Sequence, residues 1–306
     1  MFREFPETQT PRMAVGLINT PKKVDTGRVE TTDHQAILRE QEEVLRQLNR
    51  IIDIFKNSEG EIRPHFILTG PSGSGKSHTI QHLAQDHSLN YMEINAAQLT
   101  KEGTAGNSLS KALAPLMHSQ GRLTICFVDE FDKLFISGNS NSQLAHETTN
   151  GVQNEFLKVL ESSKTSVYHD YGKYVDVTAD NVLFVFAGAF NGDPDIDIDK
   201  LRSFGIKTEF LGRVGLLYGL QKLSLESMEA ALNQSKILAK YLELFEDVKK
   251  HEVVKNVMVA VTKAYEENTL GIRLINTLLH QYFINGGKLQ EEDVKTSTFQ
   301  KKMKLN

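Results

Sequence analysis

The chain has 306 residues, of which 40% are hydrophobic and 24% are charged, a composition typical of a globular protein that is long enough for two domains. The net charge of −4 excludes an overall basic field for nucleic acid or an anionic membrane, although it leaves room for a local patch. A single cysteine, Cys126, excludes an intramolecular disulfide. The N-terminus lacks the apolar run of a signal peptide, and no run approaches about 18 apolar residues. We therefore expect a cytoplasmic protein without a membrane span.

In chain order, residues 1–30 contain three prolines and no period, which predicts an irregular arm. Apolar residues then recur with helical spacing from Thr31 to Lys56. Further patterns predict strands at 65–69, 90–95, 123–128, 182–186 and 214–220, helices at 78–84, 108–118 and 150–161, and a hairpin at 165–177. From Ser224 onwards the period is helical, and 289–299 is a last strand or helix. These patterns predict an arm at 1–30, a large α/β domain at 31–222 and a small all-α domain at 223–306.

A glycine-rich segment, Gly70–Ser77, has the pattern G-x-x-x-x-G-K-[ST] between a predicted strand and a predicted helix. Its glycines allow backbone N–H groups to face phosphate oxygens, and the helix N-terminus adds its dipole. Lys76 would reach the β- and γ-phosphates, and the Ser77 hydroxyl would ligate Mg²⁺. We therefore predict an ATP and Mg²⁺ site formed by Gly70, Pro71, Ser72, Gly73, Ser74, Gly75, Lys76, Ser77 and His78. A Gly/Ser-rich surface turn is the alternative.

A second motif follows the apolar run at 123–128, which ends in Asp129 and Glu130. Such a run is typical of a strand buried in a parallel sheet, and its carboxyl end is where open α/β sheets bind ligands. Asp129 would hold Mg²⁺, and Glu130 would orient and polarise the attacking water. An acidic pair that caps a helix is the alternative, which the upstream glycine-rich segment disfavours.

Three other features each allow two interpretations. His78 and His82 have the i, i+4 spacing of metal ligands but no third ligand, so packing or surface roles are favoured. The tyrosines of the hairpin at 165–177 could stack on nucleic-acid bases, although cross-strand packing is the more common role. The acidic segment 193–199 loosely resembles a calcium loop but lacks its glycine and its final glutamate, which favours a solvated loop.

Taken together, the motifs resemble those of the ClpX branch of the AAA+ ATPases, ring-forming protein unfoldases that include HslU. The similarity covers residues 60–300. Gly70–Ser77 resembles the family's Walker A motif, and Phe127–Lys133 resembles its Walker B motif with the D-E-x-D-K extension. Four further stretches resemble the family's conserved helix, its sensor-1 strand, its arginine-finger segment and its sensor-2 motif, in that order: Gly151–Glu161, Leu183–Phe190, Ser203–Arg213 and Gly271–Arg273.

The resemblance implies a P-loop AAA+ parallel-sheet domain followed by a small helical lid. It also implies assembly as a homo-oligomeric ring, with six subunits expected. It implies ATP hydrolysis with Lys76, Glu130 and Arg213 as catalytic residues. Arg213 would be the finger that reaches the neighbouring subunit's ATP, and Arg273 would sense the γ-phosphate from the lid. Each arginine could instead be a surface salt-bridge partner.

Several departures from the family bear on function. The first pore loop of the family carries an aromatic residue between glycines, whereas Gly103–Gly106 carries the small pair Thr104 and Ala105. The stretch 190–204 lacks the I-G-F loop that docks the ClpP peptidase, and no zinc-binding domain is present in the sequence. The hairpin at 165–177 lacks the family's R-K-H segment, and the I-G-Q element is not recognisable, so the adenine pocket is unassigned.

These observations predict ATP-driven remodelling or unfolding of a specific protein partner, independently of ClpP. The alternative is an ATP-dependent switch that assembles on nucleic acid, of the helicase-loader or transposition-regulator type. The altered pore loop and the basic tail formed by Lys301, Lys302 and Lys304 support this alternative. A catalytically dead homologue is disfavoured because every catalytic position is filled.

Overall fold

The computed structural model describes residues 41–101, 103, 106–119, 121–135, 143–267 and 270–289, and only the backbone at 143–148 and at Asp170. The predicted arm at 1–30 and the basic tail lie outside these ranges. The same holds for the first ten residues of the predicted helix at 31–56, for Thr104 and Ala105, and for all but the first residue of 289–299.

The strands are β1 Phe66–Thr69, β2 Asn90–Asn95, β3 Thr124–Asp129, β4 Lys164–His169, β5 Lys173–Thr178, β6 Val182–Gly188 and β7 Leu216–Gly219. The helices are α1 Glu42–Asn57, α2 Lys76–Asp86, α3 Leu109–Ala112, α4 Gln143–Glu161, α5 Ile198–Ser203, α6 Thr208–Arg213, α7 Leu225–Asn233, α8 Lys236–Leu244, α9 Lys250–Ala264 and α10 Ile272–Ile284. Five strands form a parallel sheet in the order β2-β3-β6-β1-β7, and β4 and β5 form an antiparallel hairpin. The predicted α/β fold with a parallel sheet is therefore confirmed.

The interior strands β3 and β6 explain why the sheet is buried on both faces. Side chains alternate between the faces of a strand, and nearly every position of these two strands is apolar. One face packs Val128, Phe184 and Phe186 with residues of α4 and α6, including Phe156. The other face carries alternate residues such as Phe127 and packs against α1 and α2. The sheet is thus a rigid layer with helices on both sides, and its carboxyl edge presents the loops that follow β1, β2, β3 and β6.

A third apolar cluster lies in the C-terminal helices α7–α10 and includes Leu232, Val257 and Leu278. The chain enters this region through Gln221, whose backbone N–H donates to Gln41 Oε1 at 3.0 Å and whose carbonyl accepts from Gln41 Nε2 at 2.8 Å. This pair fixes the start of α1 against the connecting segment. The division of the chain into domains at residues 222 and 223 stays a prediction.

One local prediction was wrong, and another agrees with the structure. The single helix expected at 108–118 is a four-residue α3 followed by a 3₁₀ turn, Ala114–His118, which begins with a proline near its first position. Proline lacks the N–H that would continue α3, so the helix cannot run through. The acidic segment is a loop with mostly exposed residues from Asp193 to Asp197, as predicted, and α5 begins at Ile198, where the Asp197 side chain caps it by accepting from Lys200 N at 2.8 Å.

Within the described ranges, no helix combines the length and the apolar character that crossing a membrane requires.

A buried histidine gives the sheet a pH dependence. His65 precedes β1, is 6% exposed, and accepts a hydrogen bond at Nδ1 from Phe184 N at 3.1 Å. Burial, reinforced by nearby Arg63, lowers the pKa of His65 to about 3. Between pH 6.5 and pH 3 the unfolded chain therefore binds a proton that the native protein does not, and stability falls as the pH falls.

We expect this histidine to cost about 2 kcal/mol of unfolding free energy between pH 7 and pH 5, from about 1.4 kcal/mol per pH unit below its unfolded pKa. Urea unfolding of the wild type and of His65→Asn at both pH values measures the difference, since asparagine keeps an acceptor but does not titrate. An equal loss of stability in the two proteins would contradict the assignment.

Candidate nucleotide-binding site

The segment Gly70–Ser77 connects the end of β1 to the start of α2, which begins at Lys76. Gly70 has a φ of +143°, and a Cβ there would lie 2.6 Å from Leu220 O, so the close approach to β7 requires glycine. Gly75, the residue before α2, is left-handed with a φ of +91°. The loop therefore has a backbone path that a chain of larger residues would not adopt, and it opens toward the N-terminus of α2.

The Lys76 side chain folds over this loop. Its Nζ donates to Gly70 O at 2.7 Å and to Pro71 O at 3.0 Å. Burial lowers the pKa of Lys76, the carboxylates of Asp129 and Asp132 oppose that shift, and the Arg273 guanidinium adds to it. The carboxylate that ends β3, the Asp132 carboxylate in the turn that follows and one arginine from α10 therefore lie close enough to influence the lysine.

Two hydroxyls next to Lys76 are buried without a hydrogen-bond partner among the described residues, namely Ser74 Oγ and Thr79 Oγ1. Buried polar atoms are normally satisfied, so unsatisfied hydroxyls in a phosphate-type loop fit a polar ligand. The N-terminus of α2 supplies free N–H groups and the positive end of its dipole at the same place. The donor set of this loop therefore fits the phosphates of a nucleotide.

Asp129 and Glu130 lie at the carboxyl end of β3, with β6 between β3 and β1. Asp129 Oδ1 accepts from Glu130 N at 2.8 Å. Glu130 has a φ of +54° and a ψ of 32°, a left-handed conformation that is uncommon outside glycine and is frequently found at functional sites. This turn therefore places the carboxylates of two adjacent residues, Asp129 and Glu130, at the end of an interior strand.

Asn95 is a residue of this site that sequence reasoning missed. It ends β2, pairs in register with Asp129, and donates from Nδ2 to Glu130 Oε2 at 3.1 Å. Its Oδ1 accepts from Ala97 N at 2.9 Å, which fixes the side chain. A polar residue at the end of a strand was the available signal, but it is informative only once β2 is known to lie beside β3.

The Asp132 side chain links the turn after β3 to the turn after β6 at the carboxyl edge of the sheet. Its side chain is buried, and Oδ2 accepts from Phe190 N at 3.2 Å, just beyond the end of β6. Lys133 Nζ lies 3.6 Å from the same oxygen. The carboxylate thus holds the turn after β6 against the turn that carries Glu130.

The two predicted arginines lie in different places. Arg273, in the first turn of α10, has its Nη1 3.4 Å from Ser72 Oγ, so the structure brings it to the glycine-rich loop. Arg213 ends α6, is about half exposed, and pairs with Glu161 Oε1 at 2.7 Å. The salt-bridge alternative therefore describes the contact that Arg213 makes within its own chain.

The remaining candidates lie apart from the phosphate-type loop or make local contacts. His78 is exposed on α2, and its ring centroid lies 4.2 Å from that of His82. No cluster of three or more His, Cys, Asp or Glu side chains suited to a metal occurs in the part of the chain that the structure describes. Tyr168 and Tyr174 are cross-strand partners in an edge-to-face pair at 5.9 Å, whereas Tyr171 at the hairpin tip is 98% exposed.

We expect Asn95→Ala to lower kcat for ATP hydrolysis about tenfold without changing nucleotide affinity, because small losses of orientation at the reacting groups are costly. Steady-state kinetics and a nucleotide-binding titration separate the two parameters. The exposed Asn233→Ala on α7 is the matched control, and its kcat should equal that of the wild type. An unchanged kcat in Asn95→Ala would show that the contact with Glu130 does not serve catalysis.

The chain is also similar in sequence to a known protein family and to individual proteins. Residues 66–210 match the model of the ATPase family associated with various cellular activities (AAA). The chain is 28% identical over 256 residues to "ATP-dependent Clp protease ATP-binding subunit ClpX 2" of Wolinella succinogenes, a match that covers 72% of this chain and 64% of the relative. It is 26% identical over 248 residues to the ClpX subunit of Bacteroides thetaiotaomicron, covering 66% of this chain and 60% of the relative.

The matched part spans less than two thirds of the length of these relatives. The family match nevertheless covers β1 to α6, including Gly70–Ser77, Asp129 and Glu130, and the ClpX matches cover about 70% of the chain. The resemblance predicted from the motifs is confirmed: the chain is similar to the AAA ATPase family over residues 66–210 and to ClpX over about 70% of its length.

Proposed function

We propose that this protein hydrolyses ATP as a subunit of a homo-oligomeric ring and uses the cycle to remodel or unfold a specific protein partner. The observation that carries the proposal is the convergence of Lys76, the Asp129–Glu130 pair and Arg273 on one edge of the sheet. These groups come from three separate segments of the chain. Their meeting supplies a phosphate cradle, a metal-type carboxylate, a water-orienting carboxylate and a second cation.

In this proposal, the loop Gly70–Ser77 and the start of α2, including His78, hold the nucleotide. Lys76 exchanges its contacts with Gly70 O and Pro71 O for the β- and γ-phosphates. Ser77 and Asp129 would hold Mg²⁺, which would supply positive charge to neutralise the phosphates. Glu130, positioned by Asn95, orients the water, and Arg273 contacts the phosphates from the opposite side.

Arg213 is assigned to the neighbouring subunit's nucleotide. The support is its exposure at the end of α6: the side chain is about half exposed despite its pair with Glu161, so it can exchange that pair for a phosphate of another copy of the chain. An arginine supplied in trans offsets the charge that develops on the γ-phosphate, so each site is complete only in a ring. A ring of six subunits is proposed from the resemblance alone.

The relatives are named as ATP-binding subunits of Clp protease. For this chain we propose an activity independent of ClpP, because the segment after β6 is a turn at Phe190–Gly192 followed by the capped helix α5, and its sequence lacks the I-G-F docking motif. The location in the cytoplasm also stays a prediction.

A second candidate is a nucleotide switch that assembles on nucleic acid. The observation in its favour is the hairpin tip, where Tyr171 is 98% exposed and Lys173, two residues later in the sequence, is also exposed. An aromatic ring next to a cation is the usual arrangement for stacking on a base close to a phosphate. Asp176 on the same hairpin weakens this interpretation, and we therefore keep the protein partner as the main proposal.

The test is capture of partners by Glu130→Gln, which should bind ATP without hydrolysing it and so hold the partner-bound state. Affinity purification from the native host with ATP is compared with and without nuclease, and with Lys76→Ala as the control that should not bind ATP. One protein retained after nuclease treatment supports remodelling. Partners that are lost with nuclease support the nucleic-acid switch, and an identical set of proteins with Lys76→Ala would contradict both.

A further inference from the structure

The start of α10 lies directly on the glycine-rich loop through a contact between two glycines. Ile272 N donates to Gly73 O at 3.4 Å. A Cβ on Gly73 would lie 2.0 Å from Leu270 O, and a Cβ on Gly271 would lie 2.4 Å from Gly73 O. Such distances do not occur between non-bonded atoms. The two backbones can therefore approach each other this closely only because both residues lack a side chain.

The conformation of Gly271 adds a second requirement. Its φ of +54° and ψ of −129° lie in a region that residues with a Cβ avoid, and this geometry turns the chain into the first residue of α10. Glycine is therefore required at this position for two reasons, the backbone angles and the contact with Gly73.

Arg273 follows two residues later, in the first turn of the same helix. Its Nη1 lies 3.4 Å from Ser72 Oγ, the residue next to Gly73. The direction in which this arginine leaves the helix is set by where the helix starts, and the helix start is set by the glycine contact. The contact therefore connects the backbone of the glycine-rich loop to the position of the guanidinium.

We propose that Gly271 is a positioning residue for nucleotide binding, which acts by seating α10 on Gly73 so that Arg273 faces the phosphates. This inference rests on the proposed ATP site and adds a residue to it. An alanine at position 271 would have to move away by about 1 Å to reach an ordinary contact with Gly73 O. Because the helix moves as a rigid rod, Arg273 would move with it.

The experiment is a double-mutant cycle on the full-length protein, with the Kd of a non-hydrolysable ATP analogue in the presence of Mg²⁺ as the readout. We expect Gly271→Ala to raise the Kd about tenfold or more. In the Arg273→Ala background the same change should raise it less than about twofold, because the residue it positions is already absent. Gly286→Ala is the matched control, since Gly286 also has a positive φ, of +65°, but a Cβ there meets no atom within 4 Å.

Equal weakening of binding in the two backgrounds would overturn the inference, because it would show an effect that does not pass through Arg273. An unchanged Kd in Gly271→Ala would overturn it as well.

If circular dichroism shows that Gly271→Ala does not fold, Ile272→Pro takes its place in the cycle, with the same expected outcomes. It removes the N–H that reaches Gly73 O at a helix position where proline is accepted. A wild-type protein that binds no ATP analogue would refute the proposed function itself, whereas a wild type that binds normally beside an unaffected Gly271→Ala would refute only this inference.

Discussion

Replacing Glu130 by glutamine should lower ATP hydrolysis by about 10²–10⁴-fold, the range that a positioned general base contributes. Glutamine keeps the size of the side chain and can still contact Asn95, but it cannot accept a proton from the attacking water. In the proposed site the nucleotide is held by other residues, namely the glycine-rich loop, Lys76 and Arg273. The Kd for ATP should therefore stay within about twofold of the wild-type value, so that the loss appears in kcat alone.

Phosphate release and equilibrium binding of ATP measure the two effects on the same preparations. Glu93→Gln is the matched control, because Glu93 is an exposed carboxylate on the neighbouring strand β2, where it accepts a hydrogen bond from the Tyr91 hydroxyl. That variant should hydrolyse ATP at the wild-type rate. A Glu130→Gln protein that retains more than about a tenth of wild-type activity would remove Glu130 from the catalytic role.

The second large effect is expected at Arg213. Alanine at this position should lower hydrolysis by about 10³-fold or more, as for other arginines that stabilise a transferring phosphoryl group. Binding of ATP to the subunit that carries the substitution should persist, because Lys76 and Arg273 of that subunit are intact. The matched control is Arg202→Ala, which removes an exposed arginine of α5 that pairs with Asp199 at 2.8 Å.

Mixing two inactive variants distinguishes an arginine that acts in trans from one that only pairs with Glu161 in its own chain. Subunits carrying Arg213→Ala retain a complete nucleotide loop, and subunits carrying Lys76→Ala retain Arg213, the proposed finger. In an equal mixture, about a quarter of the interfaces should combine an intact loop with an intact finger, and activity should return accordingly. A mixture as inactive as its two components would contradict the role in trans.

The sequence was sufficient to predict those parts of the molecule that depend on local pattern. The apolar runs of β3 and β6 are nearly uninterrupted and short, a pattern typical of strands with helices on both faces. The glycine-rich loop was recognisable because its conformation requires glycine at fixed spacings, and the Asp129–Glu130 pair because it ends an interior strand. Each of these signals lies within about ten residues of chain.

The features that could not be predicted depend on contacts between distant segments. Asn95 contacts Glu130 because β2 lies beside β3, and strand order is not written in either strand. Ser72 and Arg273 are separated by 201 positions. A glycine before a helix is common, so Gly271 did not indicate a contact until the structure placed it against Gly73. The helix α5 was not predicted, because an acidic segment resembles a loop until one of its carboxylates is seen to cap a helix.

The most direct test of the account is the steady-state release of phosphate from ATP by the purified wild-type protein with Mg²⁺, measured beside Lys76→Ala. The account predicts turnover on the order of 1 s⁻¹ or faster for the wild type and a rate indistinguishable from the blank for Lys76→Ala. Release by the wild type that is no faster than that of Lys76→Ala at saturating ATP would contradict the assignment of this site as an ATPase centre.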